Sequence, residues 1–329
     1  MKIIVTGGAG FLGSHLCDKL IEGGHEVICI DNLSTGYEEN IAHLKNNPNF
    51  KFLNHDVIQP ISIDKIATGR TKWYIPRNDD GVIDQIYHLA SPASPNINNP
   101  KSYHALPFET MQVNSLGTWH LCEAALKMGA KFLFASTSEV YGDPQEHPQK
   151  ETYHGNVSPT GPRSVYDESK RFGETVTSAF VRSKGLDGRM VRIFNTYGPK
   201  MPNDGRVVIE FTKNALEGKP FPVFGDGKQT RSFCYISDMV EGLVAAMENG
   251  KSGQVYNLGN PDEFTLLELL EKIKNITDSK SEIEFYPLPE DDPKRRCPDI
   301  TKARNDLGWE PKVGLDEGLK KLIEYLKSL

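Results

Sequence analysis

A glycine-rich loop near the N-terminus places the strongest constraint on what this chain can fold into. The apolar run Lys2–Thr6 reads as a buried strand, and it leads through residues 7–13 (GGAGFLG) into a helical pattern over residues 11–21. Glycines at this spacing permit a tight turn, let the backbone approach a pyrophosphate, and let the helix pack closely on the strand. The helix N-terminus offers N–H groups and positive dipole to phosphates. The sequence therefore predicts a dinucleotide-binding unit at the start of the chain.

Asp31 indicates which dinucleotide is bound. It closes the next predicted strand, residues 25–31, where a carboxylate accepts hydrogen bonds from the adenosine ribose and repels a 2′-phosphate. Asn32 follows it, so no arginine stands beside the carboxylate, and NAD is predicted in preference to NADP. Further cofactor contacts are expected in the glycine loop and after the following strands, at Gly7, Gly10, Phe11, Leu12, Gly13, Asn32, Ser34, Thr35, Gly36, Asp56, Val57, Leu89, Ala90 and Ser91.

Strand and helix patterns alternate along the first two-thirds of the chain. Further strands are predicted at residues 51–56, 83–90, 131–136 and 190–195, and helices at 112–127 and 164–182. This order predicts an α/β fold with a doubly wound parallel (Rossmann) sheet. Beyond residue 195 the chain becomes rich in proline and glycine. We expect a dinucleotide domain of residues 1–196 with about 233–259, and a second, smaller α/β substrate lobe of residues 197–232 with about 260–329.

Composition excludes several function classes. Hydrophobic residues make up 38% and charged residues 25%, as in globular proteins, and the net charge of -6 disfavours a nucleic-acid partner. The apolar runs are shorter than the roughly 20 residues of a membrane span, and the first residues lack a secretory signal pattern, so a cytoplasmic location without a membrane partner is expected. Five scattered cysteines without a Cys-x-x-Cys pair predict reduced thiols and no metal site.

Tyr166 and Lys170 form a candidate catalytic pair. Their spacing places both side chains on one face of a predicted helix. A lysine ammonium there would stabilise a phenolate and lower its pKa, so that it could accept a hydroxyl proton. The spacing alone also fits an exposed helix pair. The glycine loop upstream and the hydroxyls of residues 136–138, which can donate to a developing oxyanion, favour the catalytic interpretation.

Together these features resemble the extended short-chain dehydrogenases/reductases that act on nucleotide sugars. The resemblance runs over essentially the whole chain. It narrows to the UDP-glucuronate decarboxylases (UDP-xylose synthases) in six segments: residues 136–144 (STSEVYGDP), 161–163 (GPR), 194–199 (FNTYGP), 204–208 (DGRVV), 229–233 (QTRSF) and 257–261 (NLGNP). It implies a homodimeric lyase that uses NAD and a UDP-sugar, and that converts UDP-glucuronate to UDP-xylose and CO₂ through a 4-keto intermediate without net redox change.

Related activities share C4 oxidation and differ afterwards. A 4,6-dehydratase carries an acid just after the threonine, where this chain has Ser138, whose hydroxyl is too weak an acid. A 4-epimerase usually lacks a glutamate at the position of Glu139. A decarboxylase forms an enolate that Thr137, Ser138 and Tyr166 could stabilise. Decarboxylation is therefore favoured, with UDP-glucuronate 4-epimerase, 4,6-dehydratase and a non-catalytic NAD-binding scaffold as alternatives.

The resemblance also implies substrate contacts. Arg296 matches an arginine that reaches the substrate in decarboxylases, and Arg231 matches one that binds the UDP diphosphate, which suits a planar bidentate donor. Arg296 is expected to orient the sugar or a proton-donating water, because a cation gripping the carboxylate would slow its departure. Other candidates on the substrate side are Asn195, Arg206, Val208, Phe211, Phe224 and Lys228. Tyr166, Lys170 and Thr196 are also expected to contact the cofactor.

The chain departs from the family pattern in several places. Residues 61–80 and 101–111 form longer segments than usual. Gln112 stands near the position of a lysine that lies close to the substrate, Cys297 replaces a usually basic residue, and Ser169 replaces a usual glycine. These differences bear on substrate affinity and loop behaviour and leave the predicted hydride chemistry intact.

Overall fold

A central β-sheet organises the chain, whose computed structural model describes residues 1–59, 83–287 and 295–329. The strands are, in chain order, β1 Lys2–Thr6, β2 Glu26–Asp31, β3 Phe50–Asn54, β4 Gln85–His88, β5 Lys131–Thr137, β6 Gly188–Ile193, β7 Thr196–Tyr197, β8 Phe221–Phe224, β9 Thr230–Ser232, β10 Cys234–Tyr235, β11 Val255–Leu258, β12 Glu263–Thr265, β13 Ile283–Tyr286 and β14 Arg295–Arg296. The α-helices are α1 Phe11–Glu22, α2 Pro107–Gln112, α3 Thr118–Met128, α4 Ser164–Lys184, α5 Val207–Glu217, α6 Ile236–Asn249, α7 Leu266–Thr277, α8 Thr301–Leu307 and α9 Leu315–Lys327.

Within the described residues, seven strands form the central sheet in the order β11-β6-β5-β4-β1-β2-β3. Each neighbouring pair in this sheet runs parallel. The strand order reverses at β1 and β4, and in such sheets ligands bind in the crevice outside the carboxyl ends of the strands at this switch point. The predicted doubly wound α/β fold is confirmed.

Apolar residues cover both faces of the sheet, as a parallel sheet flanked by helices requires. Along β1, Ile3 and Val5 belong to the cluster that includes residues of α1 and α6, while Ile4 belongs to the cluster that includes residues of α3 and α4. All three side chains are fully buried. The first strand is therefore a nearly continuous apolar run because helices pack on each side of it.

A smaller set of elements follows β6. β13 pairs in parallel with β8, and β9 pairs with both β12 and β14. Between them α6 leads to β11, which returns to the edge of the central sheet beside β6. This return agrees with the predicted interleaving of the chain. The division into a cofactor domain and a substrate lobe at the predicted boundaries stays a prediction.

The predicted helix at residues 112–127 is wrong in its extent. Helix α2 begins at Pro107, a π-helical turn covers Val113–Gly117, and α3 continues to Met128. Proline is suited to the first turn of a helix because it needs no N–H partner there.

The expanded segment at residues 61–80 lies outside the described residues. Among the helices that the structure describes, none combines the length and the apolar character of a membrane span.

Candidate active site

The glycine loop brings strand β1 and helix α1 into close contact. A Cβ atom at Gly13 would lie only 2.1 Å from the carbonyl oxygen of Gly7, and one at Gly7 would lie 2.7 Å from the backbone of Ala90. Gly7 also has a φ of +72°, which favours glycine. The helix begins after Gly10, whose extended backbone carries no side-chain cap. The first turn therefore presents backbone N–H groups toward the crevice, as a pyrophosphate site requires.

Asp31 lies at the end of β2, where the sequence predicts the ribose contact. Its carboxylate accepts hydrogen bonds from the backbone N–H groups of Ala9, at 3.0 Å, and Leu33, at 2.8 Å. Burial raises the pKa of Asp31, while these two donors and the charge of Lys101 act in the opposite direction. The carboxylate is thus held in place by the glycine loop and keeps acceptor capacity for ribose hydroxyls.

A single cleft contains most of the predicted cofactor residues. Those that line it are Gly7, Gly10, Phe11, Leu12, Gly13, Asp31, Asn32, Ser34, Thr35, Asp56, Val57, Leu89, Ala90 and Ser91. Gly36 packs on Asp31, since a Cβ atom there would lie 2.9 Å from the carboxylate. Sequence reasoning missed other lining residues, including Tyr37, Ile58, Ser94 and Lys101, which lie in loops without a recognisable motif.

The predicted catalytic residues converge at the carboxyl end of β5. Tyr166 and Lys170 are both buried on α4, and Thr137 and Ser138 are buried where β5 ends. A side-chain hydrogen bond joins Thr137 to Tyr166. The ammonium group of Lys170 donates to the carbonyl oxygen of Ala135 at 2.8 Å and lies 5.8 Å from the centre of the Tyr166 ring. The pair is therefore part of a buried polar cluster.

Burial opposes the lowering of the Tyr166 pKa that its spacing to Lys170 predicts. Burial raises the pKa of this phenol above its ordinary value of 10, and the negative charge of Glu139 raises it further, although the hydrogen bond from Thr137 opposes them. Burial also lowers the pKa of Lys170 to about 7. Exclusion of water disfavours the charged form of both groups, so the lysine alone does not produce a phenolate.

Glu139 lies between two arginines. Its carboxylate accepts hydrogen bonds from Arg296, at 2.5 and 2.8 Å, and from Arg163, at 2.7 Å. Although burial alone would raise the pKa of Glu139, the charges of Arg163 and Arg296 lower it to about 2. Glu139 is therefore ionised at neutral pH and is not a proton donor. No role was assigned to Arg163 from the sequence. The only sequence feature that could have pointed to it is the family-like segment at residues 161–163.

The two arginines predicted to bind substrate lie on neighbouring strands. In the sheet formed by β9 and β14, Arg296 stands opposite Arg231. Both are buried, and Arg231 donates to the carbonyl oxygen of Thr230 at 2.9 Å. Arg206 lines the cleft and pairs with Asp204 at 2.9 Å. The structure brings Arg296 to Glu139, and its predicted contact with the substrate stays a prediction. Residues 291–294, which precede it in the chain, lie outside the described residues.

The other predicted substrate and cofactor residues have different surroundings. Phe211 and Val208 are buried in the apolar core, and Phe211 packs edge-on against Phe221 with ring centres 5.7 Å apart. Phe224 and Lys228 are exposed. The hydroxyl of Thr196 donates to the carbonyl of Phe194, and the carbonyl of Asn195 accepts from the N–H of Cys234. Contacts of these residues with substrate or cofactor stay predictions. Because Phe211 and Val208 are buried in the core, their side chains do not line the cleft.

Two further side chains border the catalytic cluster. Tyr103 stacks on Tyr166 with ring centres 5.0 Å apart and planes inclined by 10°. Asp167 is buried, and burial, followed by the charge of Glu139, raises its pKa to about 8. One carboxylate oxygen of Asp167 has no hydrogen-bond partner among the described residues. Asp167 could have been suspected as the neighbour of Tyr166, but no sequence pattern points to Tyr103.

Three residues that depart from the family pattern, Ser169, Gln112 and Cys297, lie in different surroundings in the structure. Ser169 donates to the carbonyl of Tyr166 and accepts from Asn114, each at 3.0 Å, whereas Gln112 is exposed. The thiol of Cys297 lies with His147 and Glu263 in a group whose ligand atoms are all within 4.8 Å of one another. These groups already bond within the protein: His147 to Glu263 at 2.7 Å, and the thiol to the carbonyl of Pro261 at 3.2 Å. The expectation of no metal stays a prediction.

Comparisons with known proteins identify the family. Residues 4–322 match the family described as GDP-mannose 4,6 dehydratase. UDP-glucuronic acid decarboxylase 1 of Arabidopsis thaliana is 52% identical over 329 residues, which cover 100% of this chain and 70% of that protein. The protein of the same name from Danio rerio is 49% identical over 325 residues, which cover 98% of this chain and 72% of that protein.

Similar solved structures include epimerases of nucleotide sugars. A UDP-glucose 4-epimerase of Thermotoga maritima, solved with UDP-glucose, has a TM-score of 0.84 and 33% identity, covering 100% of this chain and 99% of that one. A UDP-glucuronic acid 4-epimerase of Bacillus cereus, solved with UDP-glucuronic acid and NAD, has a TM-score of 0.81 and 30% identity with the same coverage. NAD is the cofactor, which the glycine loop and the Asp31 carboxylate fit. The chain belongs to the UDP-glucuronic acid decarboxylases of the extended short-chain dehydrogenase/reductase superfamily.

Proposed function

We propose that this protein converts UDP-glucuronate to UDP-xylose and CO₂. NAD would be regenerated in each catalytic cycle, so that the reaction has no net redox change. The observation that carries the proposal is the buried cluster in which Arg163 and Arg296 hold Glu139 ionised beside Tyr166. A dehydratase would need a protonated acid at this end of β5. Here Ser138 is a weak acid, and the two arginines hold Glu139 as a carboxylate at neutral pH.

The chain's own residues account for C4 oxidation. Tyr166 accepts the proton of the C4 hydroxyl, while Thr137 orients the phenol and Ser138 donates to the C4 oxygen. NAD held by the glycine loop and the Asp31 carboxylate would supply the acceptor for the C4 hydride and the donor that restores it. Because burial disfavours the phenolate, positive charge from Lys170 is required while Tyr166 is ionised.

Loss of CO₂ follows from the position of the new ketone. A 4-keto glucuronate is a β-keto acid, and its C5–carboxyl bond breaks with the electron pair moving into an enolate at C4. The C5 carbon then takes a proton from solvent, since Glu139 is ionised and Tyr166 must keep its proton for the C4 oxygen. Arg296 is engaged by Glu139, so it does not grip the substrate carboxylate and can orient a water instead.

Product analysis tests this function directly. Purified protein incubated with UDP-glucuronate in heavy water should release CO₂ and form UDP-xylose that carries one deuterium at C5. Tyr166→Phe removes the proton acceptor and should abolish product while leaving UDP binding unchanged. Tyr87→Phe is a matched control, because Tyr87 is also buried but lies in β4 outside the cluster. Formation of UDP-galacturonate without CO₂ would indicate an epimerase and contradict the proposal.

Assembly as a homodimer forms part of the proposal. Five large apolar side chains are exposed on α2, on α4 and on the π-helical turn and helix that follow α2: Phe108, Met111, Leu116, Trp119 and Phe172. Contiguous apolar side chains at a surface mark protein interfaces. We assign them to a seam between two copies of this chain, as the family resemblance implies. A cytoplasmic location is also proposed, because the five cysteines are buried and form no disulfide.

A further inference from the structure

Two side chains from different loops meet at the cofactor cleft. The ammonium group of Lys101 lies over the ring of Tyr37, 3.9 Å from the ring centre. Both residues line the cleft that also contains the glycine loop and Asp31. A lysine ammonium this close to an aromatic face is attracted by the electrons of the ring. The contact, named the Lys101–Tyr37 clasp, therefore connects two loops that lie far apart in the sequence.

The loop that carries Tyr37 is anchored to the glycine loop. The N–H of Tyr37 and the side-chain amide of Asn40 both donate to the carbonyl of Ala9, each at 3.0 Å. The N–H of Ala9 in turn donates to the carboxylate of Asp31 at 3.0 Å. Tyr37 is therefore fixed to the same backbone that positions the predicted ribose ligand.

The loop that carries Lys101 is held to the other wall of the cleft by polar side chains. The N–H of Lys101 donates to the side chain of Asn99 at 2.9 Å, and the Asn99 amide donates to the hydroxyl of Ser94 at 3.2 Å. The Ser94 hydroxyl donates to the carbonyl of Asp204 at 3.0 Å. Ser94, Asn99 and Asp204 all line the cleft. The backbone of Lys101 is therefore fixed at the cleft, within reach of Tyr37.

Lys101 brings positive charge to the side of the cleft that contains Asp31. Burial raises the pKa of Asp31, and the charge of Lys101 acts in the opposite direction. The sequence places no cation next to this carboxylate, since Asn32 follows it. The fold supplies one from a distant loop. A lysine ammonium with three donors is suited to phosphate and hydroxyl oxygens, which the ADP half of a dinucleotide presents.

We propose that the Lys101–Tyr37 clasp is a cofactor-binding element, in which the ammonium group of Lys101 binds the ADP half of NAD and the ring of Tyr37 holds that ammonium in place. The motifs that predict the cofactor site include neither residue. NAD is the cofactor whichever sugar is converted, so the proposal does not depend on the proposed function. A clasp that slows the release of NAD fits a reaction that regenerates the cofactor in each cycle.

Binding of NAD to the whole chain, freed of bound cofactor, tests the charge of Lys101 without relying on activity. Lys101→Met keeps the length of the side chain and removes its charge, so Kd for NAD measured by calorimetry should rise about 5- to 20-fold. Lys101→Arg keeps the cation and should bind within about threefold of wild type. Lys45→Met is the matched control, because Lys45 pairs with Glu38 at 2.6 Å on the exposed surface near Tyr37, and its Kd should not change.

The ring of Tyr37 is tested separately. Tyr37→Leu removes the aromatic face and should raise Kd for NAD about 2- to 5-fold, whereas Tyr37→Phe keeps the face and should bind as wild type does. Lys101 is half-buried, so salt can screen its charge. Raising the salt concentration from about 0.05 to about 0.5 M should therefore narrow the difference in Kd between wild type and Lys101→Met.

Four results would overturn the proposal. An unchanged Kd for NAD in Lys101→Met would show that the ammonium does not bind the cofactor. An equal loss of binding in Lys101→Arg, or a difference insensitive to salt, would show that charge is not the cause. Wild-type binding by Tyr37→Leu would show that the ring does not position Lys101. Protein that binds NAD but releases no CO₂ from UDP-glucuronate would contradict the proposed function and leave these comparisons intact.

Discussion

Replacing Glu139 by glutamine should destabilise the protein in a pH-dependent way. The substitution keeps the shape of the side chain and removes a charge that bonds to Arg163 and to both terminal nitrogens of Arg296. The side chains of Glu139, Arg163 and Arg296 are 15%, 13% and 6% exposed, so solvent screens this cluster little. Removing one member of a buried ion cluster leaves uncompensated charge and is typically destabilising by several kcal/mol.

The magnitude follows from the pKa of Glu139. Its value is about 2 in the folded protein, against an ordinary value of 4.5. A folded-state pKa below the unfolded one contributes stability that is present above pH 4.5 and is lost as the pH falls through 2. At pH 7 the contribution is about 3 kcal/mol, and at pH 3.5 it falls to about 2 kcal/mol. Glu139→Gln should lose this amount of unfolding free energy at neutral pH.

Urea unfolding of wild type and Glu139→Gln at pH 7 and pH 3.5, followed by circular dichroism with a reversibility check, measures the difference. Glu317→Gln is the matched control, because Glu317 pairs with Lys321 on an exposed helix face, where such pairs contribute about 0.5 kcal/mol. A loss below about 1 kcal/mol at pH 7, or a loss that grows on acidification, would refute the argument that the arginines stabilise the ionised carboxylate.

Three further predictions concern the cofactor, a buried acid and assembly. Asp31→Ala should narrow the preference for NAD over NADP in titrations, because the repelling carboxylate is gone, and equal binding of both by wild type would contradict this assignment. Asp167→Asn should raise the unfolding free energy at pH 8, because a folded-state pKa of about 8 means that the ionisable carboxyl group costs stability above pH 4. This gain in unfolding free energy should vanish near pH 4. A gain independent of pH would show that the ionisation of Asp167 is not its cause. Trp119→Glu should shift a sedimenting dimer toward monomer, and a wild-type monomer at micromolar concentration would reject the proposed seam.

The sequence predicts best where the deciding residues are close along the chain. Strand β1, the glycine loop, helix α1 and Asp31 lie within the first 31 residues, and each has a local steric or electrostatic reason for its residue type. The pairing of Tyr166 with Lys170 follows in the same way from helical spacing. Local patterns therefore predict the parallel sheet, the NAD site and the catalytic pair.

The tertiary structure alone decided which charges meet and how far they are buried. Arg296 reaches Glu139 across 157 residues, and no local pattern shows that this arginine binds a carboxylate of the protein before any substrate. Burial determines that Tyr166 has a raised pKa and Lys170 a lowered one, contrary to the effect expected from their spacing. Tyr103 likewise reaches Tyr166 only through the folded loop. Desolvation and long-range packing depend on the whole fold, and so these properties of the site could not be read from the sequence.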